Sequence, residues 1–180
     1  MAGVALYREH MRSMKLFFAL AALGACSCVA PVRAAIPSGA PVHGIRCDQM
    51  EGSMLHIHQH LAIRDHGKPV TIPDDVGRPL IGQCLYWIHT HTPDGIIHIE
   101  SPNFRGFTLG DFFEVWGQPL GEGDVAGARP KKGERVAVWV GGRPYTGDPR
   151  KIELRQHLDV TIQVGPPYTK PVPFTGWNGN

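Results

Sequence analysis

No long basic run occurs in this chain of 180 residues, and its formal charge is only +2. Nothing therefore points to nucleic acid or to an acidic membrane surface as a partner. The nucleophile elbow, the P-loop and the dinucleotide fingerprint are all missing, which removes the commonest hydrolase, NTPase and nicotinamide-dependent classes. The apolar stretch Leu16–Ala25 is too short to span a bilayer. Methionine is scarce beyond the N-terminal segment, with only Met50 and Met54, which argues against a methionine-rich Cu(I) carrier. Cysteine is scarce too: of four, Cys26 and Cys28 lie near the N-terminus, leaving Cys47 and Cys84. Hydrophobic residues still make up 42 % of the chain, enough for a real core. The 22 glycines and 16 prolines favour turns over long helices.

The N-terminus reads as a targeting segment. Lys15 precedes the apolar Leu16–Ala25, the pattern of a signal-peptide core. Val32-Arg33-Ala34 offers a site for soluble export, whereas Leu23-Gly24-Ala25-Cys26 resembles a lipobox that would leave a lipid on Cys26. The organisation expected is a signal peptide over 1–34, a flexible lead-in over 35–45, a histidine-rich β domain over 46–165 and a proline-rich C-terminal tail over 166–180. In an oxidising compartment Cys47 and Cys84 would form one disulfide closing a loop of about 38 residues, worth about 3 to 4 kcal/mol. The rival role for Cys84, five residues before His89, is that of a soft metal ligand.

The mature chain alternates with a period of two, which predicts a mostly β fold: an antiparallel sandwich or barrel-like sheet with one short helix. Met54–Arg64 reads as a strand, and Asp65-His66-Gly67-Lys68 as a turn into a short edge segment at Pro69–Pro73. Leu85–Thr92 and Ile96–Glu100 read as a hairpin about Thr92-Pro93-Asp94-Gly95. Thr108 caps a helix running to Trp116, with Gly117 ending it. Arg135–Val140, Leu158–Val164 and the shorter Ile152–Leu154 are further strands. Leu61–Pro69 echoes Ala137–Pro144, each an apolar strand, a glycine turn, a basic residue and a proline. Trp87, Phe104, Phe107 and Trp116 are expected in the core.

What the sequence has in unusual supply is histidine, ten in all. His56, His58 and His60 alternate along one strand and share a face at steps of ~6.5 to 7 Å. Adjacent members of such a column can reach one ion, because the metal–nitrogen bond is only ~2 Å. The third member would instead support a ligand or line a polar cavity. His89 and His91 share a face, as do His98 and Glu100. A turn with an even number of residues sets His89 opposite His98 and gathers all four, whereas a three-residue turn with a bulge at Gly95 sends the two pairs to opposite faces. His43 and His66 are expected to be solvated, His157 to pack or cap, and Asp94 to be a turn residue. The candidate metal ligands are thus His56, His58, His60, His89, His91, His98 and Glu100. Imidazoles with a carboxylate suit one transition-metal ion, copper or zinc in preference to iron, and argue against Ca²⁺ or Mg²⁺.

The paired motifs His56-x-His58-x-His60-Leu61 and His89-Thr90-His91 with His98-Ile99-Glu100-Ser101-Pro102 resemble those of a family of exported bacterial proteins without an established activity. Ile72-Pro73, Tyr86-Trp87 and Thr108-Leu109-Gly110 extend the likeness over most of the mature chain. The resemblance implies a true exported domain and carries no function with it. The cupin arrangement, with a glutamate a few residues after His-x-His, is not present. Three readings follow: a periplasmic or secreted carrier, buffer or sensor of copper or zinc; a metalloenzyme with an iron or zinc His/Glu site and Glu100 as its catalytic base; or a structural module with a polar histidine core. A carrier would have the ion and another periplasmic or membrane protein as partners, touching the membrane itself only through a lipid on Cys26.

Overall fold

The computed structural model describes residues 39–79, 83–177 and 179. The expected signal peptide, its two cleavage sites, Cys26 and Cys28 lie outside them. The elements in chain order are β1 (Cys47–Asp48), β2 (Leu55–Asp65), β3 (Lys68–Val70), β4 (Leu85–Tyr86), β5 (Ile88–His89), β6 (Ile96–Ser101), α1 (Leu109–Trp116), β7 (Val136–Val140), β8 (Arg143–Tyr145) and β9 (Asp159–Val164). The fold is mostly β with one helix, as the alternation requires. A seven-stranded sheet runs β5-β6-β2-β9-β7-β8, with β3 also on β2, and β1 and β4 form a separate small ladder.

Strand β2 is the centre of the sheet, and its alternation divides the molecule into two sides. On one side Leu61 and Ile63 meet Ile97 and Ile99 of β6, Val160, Ile162 and Val164 of β9, and Leu109, Phe112 and Phe113 of α1 in a single apolar core. On the other side stand His56, His58 and His60, in register with Glu100, His98 and Ile96 of β6. Helix α1 begins where its cap dictates. The Thr108 side chain accepts from the Asp111 N–H, the Asp111 carboxylate accepts from the Thr108 N–H, and Gly117 closes the helix in the left-handed region.

The sheet departs from the expected antiparallel arrangement at one pair: β9 runs parallel to β2, from His60↔Asp159 to Asp65↔Val164. Parallel neighbours need a long crossover, and the segment carrying α1, β7 and β8 supplies it. The echo between Leu61–Pro69 and Ala137–Pro144 is a structural one. Both are tight hairpins, β2–β3 and β7–β8, set on either side of β9. Ile152–Leu154 makes only the isolated bridge Thr108↔Glu153 in place of a strand. The lead-in is not loose throughout, because Val42 and Ile45 are buried and bridge each other. Trp87 and Phe107 are in the core, but Phe104 is 73 % exposed. The described residues of the tail have no regular structure, yet the tail is fastened to the sheet, where Gln163 Nε2 donates to the Thr169 carbonyl.

The hairpin register is settled by pairing: His89 stands opposite His98, and Ile88 opposite Ile99. Gly95, at φ +85°, makes this turn possible, since a Cβ there would sit 2.4 Å from the Leu61 carbonyl oxygen. The Leu61 N–H donates to Gly95 O across the same approach. Asp94 acts as the turn residue it was expected to be, accepting from the Ile96 N–H and the Thr92 hydroxyl.

Cys47 and Cys84 are joined by a disulfide, which suits an oxidising compartment. Among the described residues no helix is long and apolar enough to cross a membrane. The bridged cysteines are 37 residues apart, so removing them as Cys47→Ala/Cys84→Ala is expected to cost about 3 to 4 kcal/mol. Urea unfolding measures it directly, and an unchanged midpoint would show that the bridge contributes nothing to stability.

Candidate metal centre

The two-stranded registers on either side of β6 line up three imidazoles in one cross-strand row. His58 of β2 is opposite His98 of β6, which is opposite His89 of β5. In the next row His56 is opposite Glu100. Ring centroids of His58 and His98 are 4.5 Å apart, as are those of His91 and His98, and His89 lies 5.7 Å from His98. His98 is therefore the middle of the cluster, touching an imidazole on each side.

The nitrogens point at one another. His56 Nε2 is 3.1 Å from His58 Nε2 and 3.1 Å from Glu100 Oε1. His89 Nε2 is 3.0 Å from His91 Nε2 and 3.6 Å from Glu100 Oε2. Two nitrogens each bonded to the same tetrahedral ion at ~2.0 to 2.1 Å would be ~3.3 Å apart. The spacing thus needs little change to take an ion. Two groups have ligand atoms all within 4.8 Å of one another: His56, His58, His98 and Glu100; and Glu51, His89, His91 and Glu100. Each can hold a metal ion, and Glu100 belongs to both.

Backbone constraints place these side chains. His89 is completely buried, and its Nδ1–H donates to the Tyr86 carbonyl at 2.8 Å, which leaves Nε2 as the ligand atom. Thr90, between His89 and His91, is clamped to the loop before β4: its hydroxyl donates to Pro73 O and accepts from the Val76 N–H, and its own N–H donates to Val76 O. The His58 N–H donates to the Gln156 side chain. Glu51 arrives by a close approach, with the Gly52 N–H donating to Glu100 O and the Met54 N–H to Ser101 O. A Cβ on Gly52 would lie 2.2 Å from Pro102 N, so only glycine allows the chain to come this near.

Burial controls the protonation of the centre. It lowers the His89 pKa to about 3 and that of His98 to about 4. Burial also lowers His58, with help from His56, and lowers His91, with help from Arg78. All four are held in the neutral form that ligates metals. Glu100 moves the other way, raised by burial and by the facing Glu51 carboxylate. Three polar atoms of the cluster, His58 Nδ1, His98 Nδ1 and Glu100 Oε2, are buried with no hydrogen-bond partner. A buried polar atom left unsatisfied costs about 1 to 3 kcal/mol. A core that existed only to satisfy its own histidines would not leave three.

Not every expected ligand is here. His60 shares the strand face but belongs to neither donor group. Its Nδ1 pairs with Asp159 Oδ1 at 2.8 Å, and its ring stacks on Phe174 at 3.8 Å. One more step along β2 has carried it away from both donor groups and under the tail. Cys84 is committed to the disulfide and is no ligand. His66, expected in solvent, is held between Asp65 and Glu134 at 2.6 and 2.8 Å. His43 stays 57 % exposed while it meets Asp111, and His157 packs on Trp177. Glu51 was missed by sequence reasoning. Its signal was the cysteine pairing: Glu51 is four residues past Cys47, and His89 is five past Cys84, so the disulfide draws both to the same end.

The buried histidines make a prediction about the metal-free protein. In the unfolded chain His89 and His98 take up protons near pH 6.5, but in the fold only near 3 and 4. Between those limits the unfolded state binds more protons, so stability falls as pH falls. Glu100, raised by burial, and His66, raised by its bonds to Asp65 and Glu134, act in the opposite sense. The melting midpoint of chelator-treated protein is expected to drop steadily from pH 6.5 to pH 4. A midpoint that rises over that range would contradict the burial of the cluster.

No protein-family model matches the chain, and no curated protein or solved structure matches it either. What the centre does is therefore read from the chemistry of its own side chains.

Proposed function

We propose that this chain is an exported protein that binds copper or zinc at the His/Glu centre and acts as a carrier, buffer or sensor of the ion. The observation that carries the reading is the convergence of five imidazoles and two carboxylates on one patch of sheet, within bonding geometry of a small cation. Neutral imidazole with carboxylate is the donor set of Zn²⁺ and Cu²⁺, and a poor one for Ca²⁺ or Mg²⁺. The paired cysteines take thiolate out of the set. The disulfide and the leader-like N-terminus support export, and the motif resemblance to exported bacterial proteins points the same way.

Exchange is favoured over turnover by the shape of the rim. The side chains of His56 and Glu51 are 56 % and 54 % exposed, and that of His91 is 34 % exposed. Ions can therefore be gained and lost through groups in contact with solvent. A metalloenzyme would place an open coordination position at the bottom of an apolar pocket. The cleft that borders Glu51 and His91, about 370 Å³, is lined among the described residues by the polar Gln49, Arg78 and Gln83 together with Pro79, Cys84 and Leu85, and by no Phe, Tyr or Trp.

Protein made with its leader and without a histidine tag should retain copper or zinc, at one ion per chain or more, through desalting. The variant His58→Ala/His89→Ala/His91→Ala/His98→Ala should hold none, while His43→Ala should match the wild type. Saturating metal should also raise the melting midpoint, since an ion at 1,000 times its Kd adds about 4 kcal/mol to a native state that alone binds it. Wild-type protein that neither retains metal nor is stabilised by it would end this reading.

A further inference from the structure

The donor atoms do not form one shell. They form two groups of four ligands each, His56/His58/His98/Glu100 and Glu51/His89/His91/Glu100, with only Glu100 in common. Four ligands complete a tetrahedral site, so each group is complete provided that Glu100 serves both. The two oxygens of Glu100 are divided between them. Oε1 faces His56 Nε2 at 3.1 Å and His98 Nδ1 at 4.0 Å. Oε2 faces His89 Nε2 at 3.6 Å and has no hydrogen-bond partner although it is buried. A carboxylate aimed this way, one oxygen to each donor group, is the geometry of a bridging ligand.

We infer that the centre holds two divalent transition-metal ions, one in each group, with the Glu100 carboxylate bridging them. This rests on the metal-binding reading above and carries it from one ion to two. Ions sharing a bridge of this kind are ~3.5 to 4 Å apart. The charges are consistent with it. Ligand atoms of Glu51 and Glu100 lie within 4.8 Å of each other, and two cations would offset the repulsion between the two carboxylates. Three imidazoles serve the first ion and two the second, whose remaining carboxylate, Glu51, comes from the segment tied down by the Cys47–Cys84 bridge. The second ion therefore sits at the more exposed and more exchangeable end.

Copper(II) tests the pair because two bridged Cu²⁺ ions couple magnetically, while an isolated one gives its full spin signal. The full-length mature protein is saturated with Cu²⁺ in glycine buffer, which strips weakly held surface copper, and bound copper is counted beside the integrated electron paramagnetic resonance signal. The wild type should bind two coppers per chain and integrate to well under two spins. His56→Ala and Glu51→Gln/His91→Ala, substitutions of rim side chains that are more than a third exposed or nearly so, should each bind one copper with a full one-spin signal. Glu100→Gln should restore full intensity to whatever copper it holds. Melting of the metal-free variants verifies their folding, and His56→Ala, altering the most exposed ligand, carries the test alone if another variant unfolds.

A wild type that saturates at one copper would overturn the two-ion centre while leaving metal binding intact. So would rim variants that each lose all copper, since that describes one shared site. Two coppers with undiminished spin intensity in the wild type would overturn the bridge. No copper at all would remove the metal-binding reading, and the pair with it.

Discussion

Everything at the centre depends on one backbone constraint, the register of β6 against its two neighbours. Because His98 faces His58 on one side and His89 on the other, three imidazoles occupy a single row of the sheet, and Glu100 is carried to the row beside them. A slip of one residue in either ladder would send half of these side chains into the apolar core. The Gly95 turn and the Leu61–Gly95 hydrogen bond fix that register at the one point where a bulge could have altered it.

Such a row is costly in an empty protein. Neutral imidazoles are packed edge to face, two carboxylates confront each other, and three buried polar atoms have no partner. The surrounding structure absorbs this cost by rigidity. The disulfide ties β1 to β4, the Thr90 clamp fixes the chain between His89 and His91, and Gly52 lets the Glu51 segment close on β6. Local departures from well-satisfied packing, held in place by an over-determined frame, are what functional sites look like. A cation bound there would remove the penalty by turning lone pairs into bonds, which would make metal affinity and fold stability expressions of the same free energy.

The strands, the capped helix and the disulfide were legible in the sequence because each rests on a local rule. Period-two alternation gave β2 and β9, Thr108 and Gly117 bounded α1, and Cys47 and Cys84 were the natural pair for a disulfide. The parallel pairing of β9 with β2 was not legible, since it depends on where a crossover of many residues lands. The ligands divided in the same way. Six of the seven expected side chains converge, because alternation puts each set on one face and the register of β6 joins the sets. His60 obeys the same alternation and still departs, since the Asp159 carboxylate and the Phe174 ring, both distant in sequence, hold its imidazole. Glu51 lies on no regular strand and is delivered by a long-range covalent bond. Contacts that skip tens of residues are the ones a pattern of neighbours cannot carry.

The most direct measurement is X-ray absorption at the metal edge of copper- or zinc-loaded protein. The geometry described here requires a shell of nitrogen and oxygen alone at ~2.0 to 2.2 Å, with the outer-shell scattering characteristic of more than one imidazole per ion. A sulfur neighbour at ~2.3 Å, or a shell with no imidazole scattering, would contradict it.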